Sequence, residues 1–163
     1  MARDDPDRLV IGLDADASSM RTSARRAARR EGGLPNAAFV VAAIESVPAD
    51  LRGVADRVTV YFPWGSLLRG LLSVEGAVIP NLSALCASGA ELLVLWSVAE
   101  RDLATLGPVP TLPDEDRLAA TGLEIRELRP ATTAEVAATH SSWAKRLHAG
   151  VDRPVTLLRA VRS

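Results

Sequence analysis

Leu9-Val10-Ile11-Gly12-Leu13-Asp14 is the stretch that decides the fold, because it is a short apolar run that ends in a carboxylate. A continuous run of this length is typical of a buried strand in a parallel sheet. Residues 16–30 are rich in alanine and arginine, lack Gly and Pro, and predict a helix. Gly32-Gly33 closes that helix, since glycine tolerates the left-handed conformation at a helix end. Residues 38–43 predict the next strand.

The rest of the chain continues this alternation. Strands are predicted at residues 57–62, 91–96, 123–128 and 155–160, and helices near 65–72, 79–87, 114–121 and 132–140. Thr132 or Thr133 is the predicted N-cap of the last helix. Residues 107–113 contain three prolines and a glycine and predict a loop. We therefore expect a single α/β domain over residues 1–163, with a mostly parallel sheet and an antiparallel edge at the C-terminus.

Composition excludes several classes of protein. Hydrophobic residues make up 48% of the 163 residues, which argues against disorder, and a net charge of −1 points neither to nor away from nucleic acid. The lone Cys86 excludes an internal disulfide and a cysteine-based zinc site. The histidines lack metal-ligand spacing, so no metal is expected. Without a signal peptide or an apolar run of membrane length, we expect a cytoplasmic protein with no membrane partner.

Asp14 is the first candidate for a binding residue, since it follows a predicted parallel strand. Carboxylates at such strand ends commonly accept hydrogen bonds from ribose hydroxyls. The alternative is a helix N-cap, a role that Asp16 fits better than Asp14.

The predicted helix at residues 16–30 concentrates positive charge. Arg21, Arg25 and Arg29 follow one row at a spacing of four, and Arg26 and Arg30 follow the neighbouring row. No carboxylate lies between Asp16 and Glu31 to offset them. Such a row can follow a phosphate backbone, and a solvated helix face is an equally weighted alternative.

Two tryptophan motifs complete the candidate features. Trp64 follows Pro63 at the end of a predicted strand, and Trp143 is followed by Lys145 and Arg146. An indole beside basic side chains offers a stacking surface for an extruded base and anchors for phosphates. The alternative for Trp64 taken alone is a core residue, which would be the commoner outcome.

At these motifs the sequence resembles the Kam/Npm-type enzymes, which methylate the decoding-site adenine of 16S rRNA at N1 and confer aminoglycoside resistance. The resemblance runs from Asp7 to the C-terminal strand. Three shorter blocks carry it, RLVIGLDAD at 8–16, GGLPN at 32–36 and AIESVP at 43–48. The most specific blocks are FPWGSLLRG at 62–70 and SSWAKRLH at 141–148.

The resemblance implies a class I, Rossmann-like methyltransferase fold that uses S-adenosylmethionine. Asp14 would bind the cofactor ribose, and the adenine pocket would be lined by Ala43, Ile44 and Glu45. Pro63 would lie beside the reactive methyl group, Trp64 and Trp143 would stack on the two faces of the flipped adenine, and Ser141 would help to close that pocket. The rRNA backbone would be contacted by Arg25, Arg26, Arg29, Arg30, Lys145, Arg146 and Arg153. Val151-Asp152 departs from the family, which tends to be basic there, so rRNA binding is expected to be weaker.

The implied partner is 16S rRNA within the 30S subunit, and the implied protein is a monomer. In this family a first strand and a glycine-rich cofactor loop precede the region where this chain begins. That strand is central in the family's sheet, so its two neighbours are expected to lose a partner here. One hypothesis is a product that starts upstream; the other is a true truncation with a rearranged sheet and little cofactor affinity.

Two other functions are compatible with the same residues. A non-catalytic RNA-binding module would bind rRNA or the 30S subunit in a salt-dependent way without methyl transfer. A class I methyltransferase for a small molecule would bind its substrate with an affinity that does not depend on salt.

Overall fold

The computed structural model describes residues 1–74, 76–99, 102, 104, 107, 109–146, 149–150 and 153–163. The chain divides into two compact units, Met1–Pro48 and Ala49–Ser163. The single methyltransferase-like domain that the sequence predicts for residues 1–163 stays a prediction.

The first unit is a strand–helix–strand element. Strand β1 (Val10–Asp14) and strand β2 (Ala37–Val41) pair in parallel and are connected through helix α1 (Ala17–Ala27). Asp16 is the N-cap of α1, because its Oδ1 accepts a hydrogen bond of 2.8 Å from the Ser18 N–H, as the sequence predicted. A 3₁₀ turn at Ile44–Ser46 follows β2.

Two expectations for this unit are wrong. Strand β1 is half-buried to exposed along its whole length, with Ile11 38% exposed, and among the described residues it pairs with β2 alone. Helix α1 ends at Ala27, so Arg29 and Arg30 lie beyond it. The chain folds back there: the Leu34 N–H donates to the Ala27 carbonyl oxygen at 2.8 Å. A Cβ at Gly33 would lie 2.1 Å from the Arg29 carbonyl oxygen, so only glycine permits this close approach.

The second unit is built on a four-stranded sheet in the order β3-β4-β6-β5. Its strands are β3 (Ala55–Tyr61), β4 (Cys86–Trp96), β5 (Leu123–Pro130) and β6 (Thr156–Arg162). The helices of this unit whose bounds are described are α2 (Gly65–Ser73), α3 (Val78–Leu85), α4 (Glu115–Ala119), α5 (Thr133–Ala138) and α6 (Ser142–Arg146), with a 3₁₀ turn at Ala49–Leu51. Strands β3 and β4 are parallel, whereas β6 runs antiparallel to both β4 and β5. The antiparallel edge is confirmed, and the sheet is mixed rather than mostly parallel.

The sheet of the second unit buries apolar side chains on alternate residues of its two central strands. Leu92 and Val94 of β4 lie in register with Ala160 and Leu158 of β6, and all four are fully buried. Leu95 and Leu157, the next pair in register after Val94 and Leu158, belong to an apolar cluster that also contains Phe62, Val136 and Ala144. We call this set, with Ala149 and Val155, the upper cluster. No helix in the described part of the chain is long and apolar enough to cross a membrane.

Candidate functional site

Asp14 lies exposed at the carboxyl end of β1, and its two oxygens already organise the following turn. Oδ1 accepts from the Asp16 N–H at 2.8 Å, and Oδ2 accepts from the Ser19 hydroxyl at 2.7 Å. A carboxylate oxygen can accept two hydrogen bonds, so each retains a lone pair for a ligand. Since Asp16 caps the helix, Asp14 does not serve in that role.

The segment after β2 lies at the same end of the parallel strand pair as Asp14. The Ala42 N–H donates to the Asp14 carbonyl oxygen at 3.0 Å, which ties the two strand ends together. Beyond it Ile44 is buried and Glu45 is exposed. Paired parallel strands present ligand-binding groups at their carboxyl ends. The structure therefore brings together Asp14 and the predicted adenine-binding segment of residues 43–45.

Helix α1 separates its apolar and basic faces. Met20 and Ala27 are buried, whereas Arg21, Arg25 and Arg26 are exposed. The remaining two predicted arginines, Arg29 and Arg30, are also exposed, but they lie in the turn after the helix. The result is a basic surface that continues past the helix end rather than the straight helical row predicted from the sequence.

The turn from β3 to α2 has an unusual backbone at Phe62. Its φ is 53°, in the left-handed region that bulky side chains rarely adopt. The Phe62 N–H donates to the Leu95 carbonyl oxygen at 2.8 Å, and its ring is buried in the upper cluster. Pro63 is buried, while Trp64 is 48% exposed. The alternative that Trp64 is a core residue is therefore wrong.

Trp143 lies on α6 and is 53% exposed. Ser141 is half-buried, and its hydroxyl oxygen accepts from the Ala144 N–H at 3.4 Å. The Arg146 guanidinium lies 5.7 Å from the centroid of the Trp143 ring, within reach of a cation–π interaction. Ala144 packs in the same upper cluster as Phe62. Both exposed tryptophans thus adjoin residues anchored in one apolar cluster.

Arg153 differs from the other predicted RNA contacts, because its side chain is only 6% exposed. The guanidinium pairs with the carboxylate of Asp102, and its Nε donates to the Ser97 hydroxyl at 3.3 Å. We therefore leave Arg153 out of the proposed RNA-binding surface. Leu147, His148, Val151 and Asp152 lie outside the described residues.

The sequence interpretation did not single out an ion pair near Trp143. The Arg129 guanidinium donates two hydrogen bonds to Glu135, from Nη2 to Oε1 at 2.7 Å and from Nη1 to Oε2 at 3.0 Å. These bonds, together with those from Thr132, hold the pKa of Glu135 down at about 2. The one readable signal was the spacing of Thr132 and Glu135, which is that of a capping box.

Comparison with known proteins identifies relatives along nearly the whole chain. Residues 1–162 match the model of the family described as NpmA, 16S rRNA (adenine(1408)-N(1))-methyltransferase. A protein of that name from Streptoalloteichus tenebrarius is 37% identical over 164 residues, which cover 94% of this chain and 75% of the relative. The protein of the same name from Escherichia coli is 28% identical over 166 residues, which cover 94% of this chain and 76% of the relative.

Solved structures agree with these matches. The 16S rRNA methyltransferase KamB superposes with a TM-score of 0.85 at 38% identity, covering 99% of this chain and 80% of KamB. A mutant 16S rRNA (adenine(1408)-N(1))-methyltransferase from Catenulisporales acidiphilia, with its cosubstrate SAM, gives a TM-score of 0.80 at 35% identity. That comparison covers 99% of this chain and 78% of the mutant enzyme. The α/β fold is therefore of the Rossmann-like class I methyltransferase type.

Proposed function

Since this chain belongs to the family of 16S rRNA (adenine(1408)-N(1))-methyltransferases, we propose that it transfers a methyl group to N1 of the decoding-site adenine of 16S rRNA. The observation that carries this proposal is the pair of half-exposed indoles, Trp64 and Trp143. Trp64 lies two residues after Phe62 of the upper cluster, and Trp143 directly precedes Ala144 of the same cluster. An adenine that is to react at N1 must leave its helix, and two aromatic faces offer it a stacking site.

The end of β1 supports a role in holding S-adenosylmethionine, the cofactor seen with the Catenulisporales relative. Asp14 is exposed and keeps an acceptor site on each oxygen, which suits two vicinal ribose hydroxyls. Ala43, Ile44 and Glu45 follow the neighbouring strand and would contact the adenine ring. These residues fit the adenosine half of the cofactor. When bound, S-adenosylmethionine supplies an electrophilic methyl group from its sulfonium.

The residues of the second unit would hold the acceptor base. Trp64 and Trp143 would stack on its two faces, Pro63 would shape the pocket beside Trp64, and Ser141 would close it near Trp143. Stacking contributes about 1–3 kcal/mol per base, enough to offset an unstacking cost of a few kcal/mol. The protein's part is to extract the base, orient it and keep water away.

The chemistry needs no general base on the protein. The N1 lone pair forms the new nitrogen–carbon bond, the carbon–sulfur bond breaks, and its electron pair stays on sulfur. The positive charge passes from the sulfonium to the adenine ring, so no proton has to leave. Indole faces favour a cation between them, and Trp64 and Trp143 would therefore also stabilise the charge that develops on the base.

The exposed basic side chains would bind the rRNA backbone within the 30S subunit. They are Arg25, Arg26, Arg29, Arg30, Lys145 and Arg146. Phosphate contacts fix register and orientation without reading sequence. These basic residues would therefore position the protein on the 30S subunit, and the two tryptophans would hold the adenine. We propose that the protein acts in the cytoplasm as a monomer.

The test is methyl transfer to purified 30S subunits, read by primer extension. A methyl group on N1 blocks base pairing, so we expect reverse transcription to stop at one adenine of the decoding site. Expression in a susceptible host should raise the tolerated aminoglycoside concentration. Binding to 30S that weakens with salt, without a stop, would instead favour the non-catalytic RNA-binding module.

A pair of matched variants tests the proposed RNA-binding surface. Lys145→Ala with Arg146→Ala should weaken 30S binding and flatten its salt dependence by about one charge per residue removed. Arg126 serves as the control, since it is exposed on β5 and pairs with Glu124 at 2.7 Å. Arg126→Gln should leave binding and methylation unchanged. If Arg126→Gln lost as much 30S binding as the Lys145→Ala, Arg146→Ala variant, the proposed RNA-binding surface would be contradicted.

A further inference from the structure

A network of ion pairs crosses the sheet of the second unit and has no part in the proposed chemistry. Charges alternate along it, and neighbours lie within salt-bridge distance. Its members in order from β3 to α5 are Arg57, Glu91, Arg159, Glu127, Arg129 and Glu135. The network thus begins on the strand that leads to Trp64 and ends on the helix that leads to Trp143.

The last ion pair of the network, Arg129–Glu135, is held by two hydrogen bonds, which fix its geometry better than that of an ordinary surface pair. Arg129 uses two nitrogens on the two oxygens of Glu135, at 2.7 and 3.0 Å. Oε2 of Glu135 also accepts from the Thr132 N–H at 2.8 Å, and the Thr132 hydroxyl accepts from the Glu135 N–H at 3.2 Å. With side chains 39% and 28% exposed, the pair adds little stability, but a forked pair fixes direction.

Helix α5 depends on this pair for its placement. It has six residues, too few to be stable alone. Apart from the capping box, Val136 anchors it in the upper cluster. The Thr133 hydroxyl lies 3.4 Å from the Gly150 carbonyl oxygen, at the outer limit of a hydrogen bond. Among the described residues, the Arg129–Glu135 pair is therefore the side-chain hydrogen-bonded contact that joins the first turn of α5 to β5.

Only a short turn separates α5 from Trp143. His140 has a φ of 50°, which reverses the chain after α5. The Ser141 N–H donates to the Thr139 hydroxyl oxygen at 3.2 Å, and the Ser141 hydroxyl accepts from the Ala144 N–H at 3.4 Å. The first bond joins the end of α5 to the residue before α6, and the second ties that residue to the first turn of α6. A rotation of α5 is thereby passed on to the indole of Trp143.

We infer that Arg129 and Glu135 are positioning residues that set the orientation of Trp143 through α5. Neither residue needs to touch the RNA or the cofactor. The expected loss of methyl transfer rests on the proposed function, whereas the expected change in the orientation of Trp143 does not. Loss of the pair should tilt the stacking surface while the fold persists, because the apolar cluster under α5 remains.

The structural consequence is measured by fluorine NMR of the full chain labelled with fluorotryptophan. Three indoles report, those of Trp64, Trp96 and Trp143. In Arg129→Gln and in Glu135→Gln we expect the Trp143 resonance to shift or broaden while that of buried Trp96 stays. Arg129→Lys keeps the charge but loses the fork, and should give a smaller change of the same kind.

The catalytic consequence is measured by methyl transfer to 30S subunits. A misplaced stacking surface should lower kcat about tenfold. KM for 30S should change much less, because Arg25, Arg26, Arg29 and Arg30 keep their phosphate contacts. Arg126→Gln is the control again, because its partner Glu124 lies on the same strand and does not reach α5 in the contacts described. Its spectrum and kinetics should match the parent chain.

The two measurements fail separately. If the parent chain transfers no methyl group, the proposed function is wrong, and the NMR arm still decides the role of the pair. An unchanged Trp143 resonance in folded Arg129→Gln and Glu135→Gln would overturn the inference. So would equal changes at all three indoles, which would mark a general loosening of the fold.

Discussion

Phe62 directs much of the candidate site through one dihedral angle. Its φ of 53° turns the ring into the upper cluster and leaves Trp64, two residues on, half-exposed. Strained backbone of this kind costs about 1–3 kcal/mol and persists where the surroundings enforce it. Here the enforcing contacts are the buried ring and the hydrogen bond to Leu95. The position of the indole is thus held by its neighbour rather than by its own contacts.

At this scale the three tryptophans should respond differently to alanine. Trp64→Ala and Trp143→Ala are expected to lower kcat/KM about 10- to 100-fold, since each loses one stacking face. Their free energies of unfolding should change by less than about 1 kcal/mol, because both side chains are half-exposed. Trp96→Ala should instead lose about 3–5 kcal/mol, because that indole is 1% exposed. Methylation kinetics and urea unfolding measure the two effects; a reversed pattern would refute the stacking roles.

At the scale of the element, helix α5 shows how a short helix is held by polar groups. Thr132 and Glu135 form its capping box, and Arg129 reaches in from β5. The hydrogen bonds from Arg129, and then from Thr132, favour the charged carboxylate and lower the pKa of Glu135 from 4.5 to about 2. Arg159 lines the same cavity as Glu135.

This lowered pKa predicts a pH dependence with a defined sign. A depressed carboxyl pKa contributes stability that is complete above about pH 4.5 and is lost as the pH falls towards 2. The difference in unfolding free energy between the parent chain and Glu135→Gln should therefore shrink over that range. Urea titrations of both proteins at several pH values measure it, and the other carboxylates cancel in the difference. A gap that stays constant with pH would contradict the assigned pKa.

At the scale of the molecule, the described strands form two sheets, β1-β2 and β3-β4-β6-β5. Strands β4 and β6 are paired along both edges, whereas β1 is paired along one and is half-buried to exposed. Local opening costs least where few apolar contacts and hydrogen bonds are broken. The two units should therefore differ in local stability.

Amide hydrogen exchange tests this directly. We expect the slowest exchange in β4 and β6, at residues such as Leu92 and Leu158, and faster exchange in β1. Residues of β3 should lie between, because β3, like β1, has one paired edge among the described strands, but its partner is the buried strand β4. If amides in β1 exchanged as slowly as those in β4, the number of paired strand edges would not determine how easily each strand opens.

Local signals in the sequence determined most of the elements. The apolar runs predicted the six described strands, although β4 begins at Cys86, five residues before its predicted start at residue 91. Asp16 was the better N-cap candidate for α1, and Thr132 was one of two candidates for α5, because a cap depends on atoms only two or three residues away. The two tryptophan motifs stood out for a similar reason: the residue types and their neighbours already carry the chemistry of stacking and phosphate binding.

Only the tertiary structure decided how those residues are presented. The burial of Arg153 depends on Asp102, 51 positions away, and the network depends on Arg159 meeting Glu91 across 68 positions. The end of α1 at Ala27 depends on the chain returning at Leu34. Such pairings arise from sheet order and chain reversal, which no local pattern encodes. The sequence thus determined which groups could stack on a base, and the fold decided which of them face solvent.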